Sequence, residues 1–363
     1  MSLSTGIIGL PNVGKSTLFN ALTRGQAEAS NYPFCTIEPN VAIVDVPDDR
    51  LVQLGRLLSP SSSTSTTIQF TDIAGLVRGA SKGEGRGNQF LADVRDTDAL
   101  LHVVRCFDDA SVSHVDGTLD PLRDMDVITS ELLLADLEVV ERNLPTLDKV
   151  VRSDPQSDRG VELHALQRVQ AELSEGVAVY DLDLASDESD ALRGYNLLSS
   201  KPILVIANVA ESDGAGTEAV ERLRQRVGEG NVLVISAQIE AELAQLDDAE
   251  EVAAFLDELG LAASGVERLI HGAYALLDLI TFYTLANDKL QAWQLPRGTH
   301  APQAGGRIHT DMEAGFIRAE VASVADVVEV EGHWPSLRER GKLRTEGRDY
   351  EVADGDVVTF LFR

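Results

Sequence analysis

The sequence predicts an α/β fold, in which a mostly parallel sheet covered by helices is interrupted by a helical insertion and followed by a small β-rich module. Three observations carry this. Short runs rich in β-branched residues recur at 5–9, 41–46, 68–72, 100–105, 202–208 and 232–236, several of them alternating with helical patterns. The series breaks between about residues 126 and 176, where no strand-like run exists. After Asp278, strand-like runs return at 279–285, 289–295, 316–321 and 357–362, separated by Gly/Pro turns.

The first strand run leads straight into Gly9-Leu10-Pro11-Asn12-Val13-Gly14-Lys15-Ser16, with a helical segment at 17–23 behind it. This is the spacing GxxxxGK[ST] of a phosphate-binding loop. Its glycines let the chain wind tightly enough for successive backbone N–H groups and a helix N-terminus to converge on phosphate oxygens. Lys15 can reach the β/γ oxygens, and the Ser16 hydroxyl can ligate Mg²⁺. Strand before and helix after make the match specific, and a P-loop nucleoside triphosphatase is expected.

Such an enzyme needs a second magnesium anchor and a group that senses the γ-phosphate. Thr36, in Asn31-Tyr32-Pro33-Phe34-Cys35-Thr36, stands where a switch threonine completes the metal shell. Asp72 ends the run 68–72 and opens Asp72-Ile73-Ala74-Gly75, a DxxG arrangement whose carboxylate can hold Mg²⁺ and whose Gly75 N–H can approach the γ-phosphate. The glycine-rich stretch 76–87 after it is expected to order only with nucleotide or a partner. Where many GTPases carry a glutamine to orient water, this chain has Leu76, which cannot. Help must come from elsewhere or hydrolysis is slow. His114, in the loop after the run 100–105, is one candidate and equally reads as a surface histidine. Asn12 offers another route, by helping to bind a monovalent cation such as K⁺ beside the phosphates.

In the interruption, Leu133, Leu137, Val140, Leu144 and Leu147 form a helical seam with a near-heptad step. A turn-rich stretch at 153–158 separates it from a second seam at Leu163, Leu166, Val169 and Leu173, so an antiparallel helical hairpin is expected. Pro145 should kink or end the first helix. The hairpin reads as a contact appendage, with ordinary packing helices as the alternative.

The run 202–208 ends at Asn208-Val209-Ala210-Glu211, where a GTPase would read NKxD. The base-stacking lysine is replaced by Val209, and the guanine-reading aspartate by the longer Glu211. An asparagine amide suits the N6/N7 edge of adenine, so Asn208 points to ATP over GTP. Ser236-Ala237 supplies the backbone on the other side of the base.

Composition sets the remaining bounds. The 363 residues are 44% apolar and 25% charged, ordinary values for two or three globular units. Membrane spans, a signal peptide and metal-binding cysteine motifs are not expected from the apolar run lengths, the N-terminal residues and the two isolated cysteines Cys35 and Cys106. A cytoplasmic location follows as the expectation. The net charge of −28 argues against wholesale adsorption to nucleic acid or anionic lipid, so neither DNA nor membrane is an expected partner. The basic stretch 337–348 reads either as a local RNA-phosphate contact or as a solvated surface face.

GLPNVGKS, NYPFCTIEPN, DIAGL, NVAE, the helical insertion and the C-terminal APQAGGRIHTDMEAGFIRAEV together closely resemble the Obg-like ATPase family, YchF, over essentially the whole chain. The resemblance implies a Ras-like ATPase domain at 1–125 and 200–277, a helical coiled-coil insertion at 126–199 and a TGS domain at 278–363. It also implies a ribosome-associated factor in translation or stress response that prefers ATP; Mg²⁺ as cofactor and a monomeric state are separate expectations. Carried onto this sequence, it puts phosphate binding on Asn12, Val13, Gly14, Lys15, Ser16 and Thr17, with metal on Ser16, Thr36 and Asp72. Base selection falls on Asn208 and Val209, with Ser236 and Ala237 closing the pocket. Its candidate catalytic histidine matches His114, which joins Lys15 and Gly75 of the motifs as the residues expected to serve hydrolysis, and the family's missing glutamine agrees with Leu76. The strong acidity and a proline inside the hairpin depart from the pattern.

Overall fold

The computed structural model describes residues 3–24, 40–75, 86–109, 112, 118–154, 157–213, 216–246 and 248–363. Its strands are β1 (Ser4–Ile8), β2 (Val41–Asp45), β3 (Ser62–Thr64), β4 (Thr67–Asp72), β5 (Ala99–Arg105), β6 (Ile203–Asn208), β7 (Val232–Ile235), β8 (Leu279–Ala286), β9 (Lys289–Pro296), β10 (Phe316–Ser323), β11 (Arg344–Glu346) and β12 (Asp356–Phe362). The chain divides into two compact units, Met1–Val44 with Gln69–Ala273, and Asp45–Ile68 with Tyr274–Arg363.

The first unit is built on a sheet of order β2-β4-β1-β5-β6-β7. The β4/β1, β1/β5, β5/β6 and β6/β7 pairs are all parallel. Parallel strands need crossovers, and the crossover helices cover both faces. β1 and β5 are therefore buried at every position, and β5 is accordingly apolar at five of its seven positions. β5 carries two polar exceptions, Arg105 at its end and His102, which is 2% exposed. Burial holds its imidazole neutral, with the pKa pushed down to about 4.

Between β5 and β6 the chain leaves the sheet for the helices Pro121–Ser153 and Gly160–Ser174. Asp120 caps the first by accepting from the Arg123 N–H, and Pro121 fits its first turn, where no N–H is needed. Both sequence seams meet in one apolar cluster, in which Leu133, Val140 and Leu147 pack with Leu166, Val169 and Leu173. Pro145 does not end the helix, which continues to Ser153. Leu147 and Val151, beyond the proline, are both in or against that cluster, and their packing offsets the backbone bond the proline removes. Asp136 fastens this helix to the segment returning to β6. It is 0% exposed, and its carboxylate accepts from the Leu198 N–H at 2.7 Å, the Ser199 N–H at 2.7 Å and the Ser199 hydroxyl at 2.6 Å. Burial pushes its carboxyl above the ordinary range against the pull of those three donors.

The second unit has a mixed sheet of order β11-β10-β12-β8-β9-β3. Its sixth strand comes from far away in sequence, as Ser62, Ser63 and Thr64 of β3 run parallel to Lys289, Leu290 and Gln291 of β9. Residues 45–68, assigned from sequence to the first domain, thus belong to this unit. Leu51 and Leu54 of the helix Asp49–Leu58 share a core with Tyr283, Leu290, Val327 and Val357. Asp48 caps that helix at the Arg50 N–H and also accepts from the Tyr283 hydroxyl, while the Arg50 guanidinium reaches Asp354 at 2.8 Å. None of these pairings leaves a local mark in the sequence.

The basic stretch 337–348 lies in this unit with its cations paired. Arg338 meets Glu320, Arg340 meets Glu329, Lys342 meets Asp326 and Glu329, and Arg344 meets Glu346 and Asp356. Arg348 donates to the Phe316 carbonyl and lies over the Phe316 ring. These contacts favour the surface-face reading of the stretch over the phosphate-contact one. Among the described residues no helix is long and apolar enough to cross a membrane.

Candidate nucleotide site

β1 delivers the chain to Gly9, where a side chain has no room. A Cβ there would stand 2.7 Å from the Val103 carbonyl oxygen and 2.9 Å from Val13 Cγ2. The loop then turns through two left-handed residues, Asn12 at φ 64° and Gly14 at φ 92°. At Gly14 glycine is required twice over, since a Cβ would also lie 2.2 Å from Asn208 Nδ2. The Leu18 N–H bonds the Gly14 carbonyl at 3.0 Å and so starts the helix Lys15–Arg24. Leu18, Phe19 and Leu22 bury one face of that helix, leaving Ser16 and Thr17 exposed at its N-terminus. Unpaired N–H groups and the positive end of the helix dipole there favour an anion.

Lys15 is only 9% exposed, and its ammonium contacts Asp72 Oδ1. Asp72 closes β4, and its own N–H is held by the Asn40 carbonyl at 2.8 Å. Three residues on, a Cβ at Gly75 would lie 3.4 Å from the Gly9 carbonyl and 3.5 Å from the Pro11 nitrogen, so the DxxG glycine runs along the loop backbone. The structure thus brings Lys15, Ser16, Asp72 and Gly75 to one place. Among the described residues no cluster of three or more His, Cys, Asp or Glu side chains forms a ready-made metal cage. Mg²⁺ does not require one, because it takes one or two carboxylate or hydroxyl oxygens along with phosphate and water. The Ser16 hydroxyl and Asp72 carboxylate fit that donor set.

On the other side, the Asn208 amide is 4% exposed and used at both ends. Nδ2 donates to the Val13 carbonyl at 2.8 Å, and Oδ1 accepts from the Ala237 N–H at 2.9 Å. Its amide thus clamps the phosphate-binding loop to the start of the helix Ala237–Leu243, with one N–H and one lone pair beyond those two bonds. Val209 is likewise not a base-stacking surface. It is 6% exposed and packs inward with Val104, Met125, Val205 and Leu223. Ser236 caps the helix at the Ile239 N–H, and Glu211 is exposed in a turn. Thr36, Leu76 and His114 lie outside the described residues. The clamp escaped sequence reasoning because its two partners are 195 and 29 residues away from Asn208.

Known proteins resemble this chain over its whole length. A family model described as a 50S ribosome-binding GTPase matches residues 4–134, and the C-terminal model of YchF GTPases, described as a protein of unknown function, matches 279–363. The chain is 44% identical to the ribosome-binding ATPase YchF of Bacillus subtilis, with all of both chains covered. It is 46% identical to that of Escherichia coli O157:H7, covering 100% of this chain and 99% of the relative. Among solved structures, the Schizosaccharomyces pombe YchF GTPase superimposes with a TM-score of 0.89 at 33% identity, covering 99% of this chain and 98% of that one. A Pyrococcus horikoshii GTP-binding protein shares the fold at a TM-score of 0.64 and 21% identity. With full-length relatives well above 30% identity and a GTPase-type P-loop domain at its N-terminal end, the chain belongs to the YchF family.

Proposed function

We propose that this protein is a ribosome-associated ATPase switch that binds ATP with Mg²⁺ and hydrolyses it slowly, acting in translation or stress response. The observation that carries the nucleotide part is the pairing of Lys15 with Asp72 beneath a loop whose left-handed turns at Asn12 and Gly14 are locked by Asn208. Asn12 to Thr17 would wrap the phosphates. Bound Mg²⁺ would neutralise phosphate charge. Ser16, Asp72 and the expected switch residue Thr36 would hold it, with Lys15 turning from Asp72 to the phosphate oxygens. Gly75 would offer its N–H to the γ-phosphate.

The preference for ATP rests on what the base end lacks. The position of the stacking lysine is a valine turned into the core, and the guanine-reading aspartate is a longer carboxylate in an exposed turn. A guanine amide edge would then lose its acceptor, at a cost that adenine does not incur. Ser236 and Ala237 would close the pocket by backbone. With Leu76 at the glutamine position, His114 or a monovalent cation held near Asn12 is the source of catalytic help. The ribosome enters through the names of the full-length relatives. We read 126–199 as the helical insertion and 278–363 as a TGS domain, the two modules that would meet the ribosome in the triphosphate state, with the chain acting as a cytoplasmic monomer.

Competition calorimetry with ATP and GTP, with and without Mg²⁺, tests this. Tighter binding of ATP that depends on Mg²⁺ is expected. A clear preference for GTP would reject the base reading alone, and no uptake of either triphosphate would reject the whole.

A further inference from the structure

Glu240 belongs to the helix Ala237–Leu243 and is 4% exposed, an unusual place for a carboxylate. Both of its oxygens are used. Oε1 accepts from the Gly265 N–H at 2.7 Å and Oε2 from the Val266 N–H at 3.0 Å, the first two N–H groups of the helix Gly265–Leu276. The third, of Glu267, goes to the Ser264 hydroxyl at 3.0 Å. A helix N-terminus carries partial positive charge, so the carboxylate is held by charge as well as by hydrogen bonds. The approach is close enough to dictate the partner residue, since a Cβ at Gly265 would lie 2.7 Å from Glu240 Oε1 and 2.9 Å from Ile235 Cγ2.

The receiving helix is itself tied to the sheet. Arg268 donates to the Val234 carbonyl of β7 at 3.0 Å, Leu269, Ile270 and Ala273 are buried, and a Cβ at Gly272 would meet Leu204 of β6 at 2.9 Å. The helix carrying Glu240 has only seven residues, too few to hold its place without tertiary contacts. Buried Ile239 and Leu243 supply apolar contacts, which are non-directional, whereas the two bonds of Glu240 fix a position. What that position serves lies one turn earlier, at the first residue of the helix. The Ala237 N–H is the donor that Asn208 Oδ1 accepts, and Asn208 Nδ2 in turn holds the Val13 carbonyl. Gly14, the next residue of the loop, already stands so near Asn208 Nδ2 that no side chain fits. A shift at Ala237 therefore passes through one amide into the phosphate-binding loop.

We propose that Glu240 is a positioning residue for nucleotide binding, one that fixes the helix whose first N–H holds Asn208 and so keeps the phosphate-binding loop in its turn. This rests on the nucleotide-binding reading above. Glutamine is a poor substitute, because it keeps the volume but turns an N–H₂ toward one of the two backbone N–H groups.

The test is calorimetry on the full chain with the more tightly bound triphosphate and Mg²⁺, for wild type, E240Q, N208A and E240Q/N208A, beside urea unfolding. E240Q should weaken affinity by about tenfold. N208A should weaken it by at least as much, and the double variant should match N208A within about twofold, because both changes act through one amide. A merely structural glutamate would lower the urea midpoint and leave the affinity of folded E240Q at the wild-type value, and that result overturns the inference. So does an unchanged affinity for N208A, or a double variant in which the two losses add. Should E240Q fail to fold, G265A leaves the helix of Glu240 unaltered while its methyl crowds the carboxylate, and it should weaken affinity by a smaller factor; an unchanged affinity there overturns the inference instead. A wild-type chain that takes up no triphosphate removes the nucleotide reading together with this one, whereas the other outcomes remove this one alone.

Discussion

Asp72 and Asp136 are two sheltered carboxylates of the same unit, one half-buried at the end of β4 and one fully buried in the helix Pro121–Ser153. Asp136 is saturated by two backbone N–H groups and a hydroxyl, all from residues 198–199. Among the described residues, Asp72 contacts one long, flexible side chain, Lys15, beside an exposed hydroxyl and a helix N-terminus. A carboxylate whose donors are built into the backbone is a fastener. One whose partner can swing to another anion is part of a site, since its pairing can be exchanged for a metal and a phosphate.

The contrast is sharpest at Lys15. Lys15→Ala is expected to weaken triphosphate affinity by roughly a hundredfold or more, about 3 kcal/mol, through loss of a charge-assisted phosphate contact. Calorimetry on folded protein measures it, and an affinity equal to wild type would put Asp72 and Asp136 in the same class. Asp136→Ala should do the reverse. Three donors lose their acceptor, at a cost of about 2 kcal/mol once the relieved burial of the carboxylate is counted, while nucleotide affinity of the folded fraction stays the same. Urea unfolding beside calorimetry separates the two effects, and an affinity loss without a stability loss would break the comparison.

His102 supplies a third case, a buried titratable group with no place at the site. Its pKa falls from 6.5 to about 4 on burial, so between those values the unfolded chain binds more protons than the folded one. Its contribution to stability is complete above pH 6.5 and is lost as pH falls toward 4, at up to about 1.4 kcal/mol per pH unit. His102→Leu should flatten that limb in urea midpoints taken from pH 7 to 4.5. An unchanged slope would show that the imidazole is not held neutral.

Much of this was legible in sequence, for reasons that differ by region. The phosphate-binding loop is readable because its chemistry is packed into eight consecutive residues. The parallel strands are readable because burial on both faces demands mostly apolar runs, as in β5. The leucine seams of the two long helices announced their shared cluster in the same way. Three-residue strands such as β3, with the sequence Ser-Ser-Thr, carry no pattern of their own and exist only because β9 is there to pair with them. Asn208 was singled out by its motif, yet its clamp on the phosphate-binding loop was not foreseen, because an asparagine offers the same amide to a base or to a backbone and only tertiary contacts show the latter. Arg105 stood in plain view at the end of a strand, but nothing local says that an arginine will be buried and donate to carbonyls of its own loop.

Residues 45–68 carry a practical consequence for dissecting the molecule. An N-terminal fragment stopped before Asp278 would keep Leu51 and Leu54 but lose Tyr283, Leu290, Val327 and Val357, against which they pack. A C-terminal fragment begun there would lack the outermost strand and both leucines. No single cut yields two intact halves, so truncations meant to isolate either activity would instead produce sticky, half-built pieces.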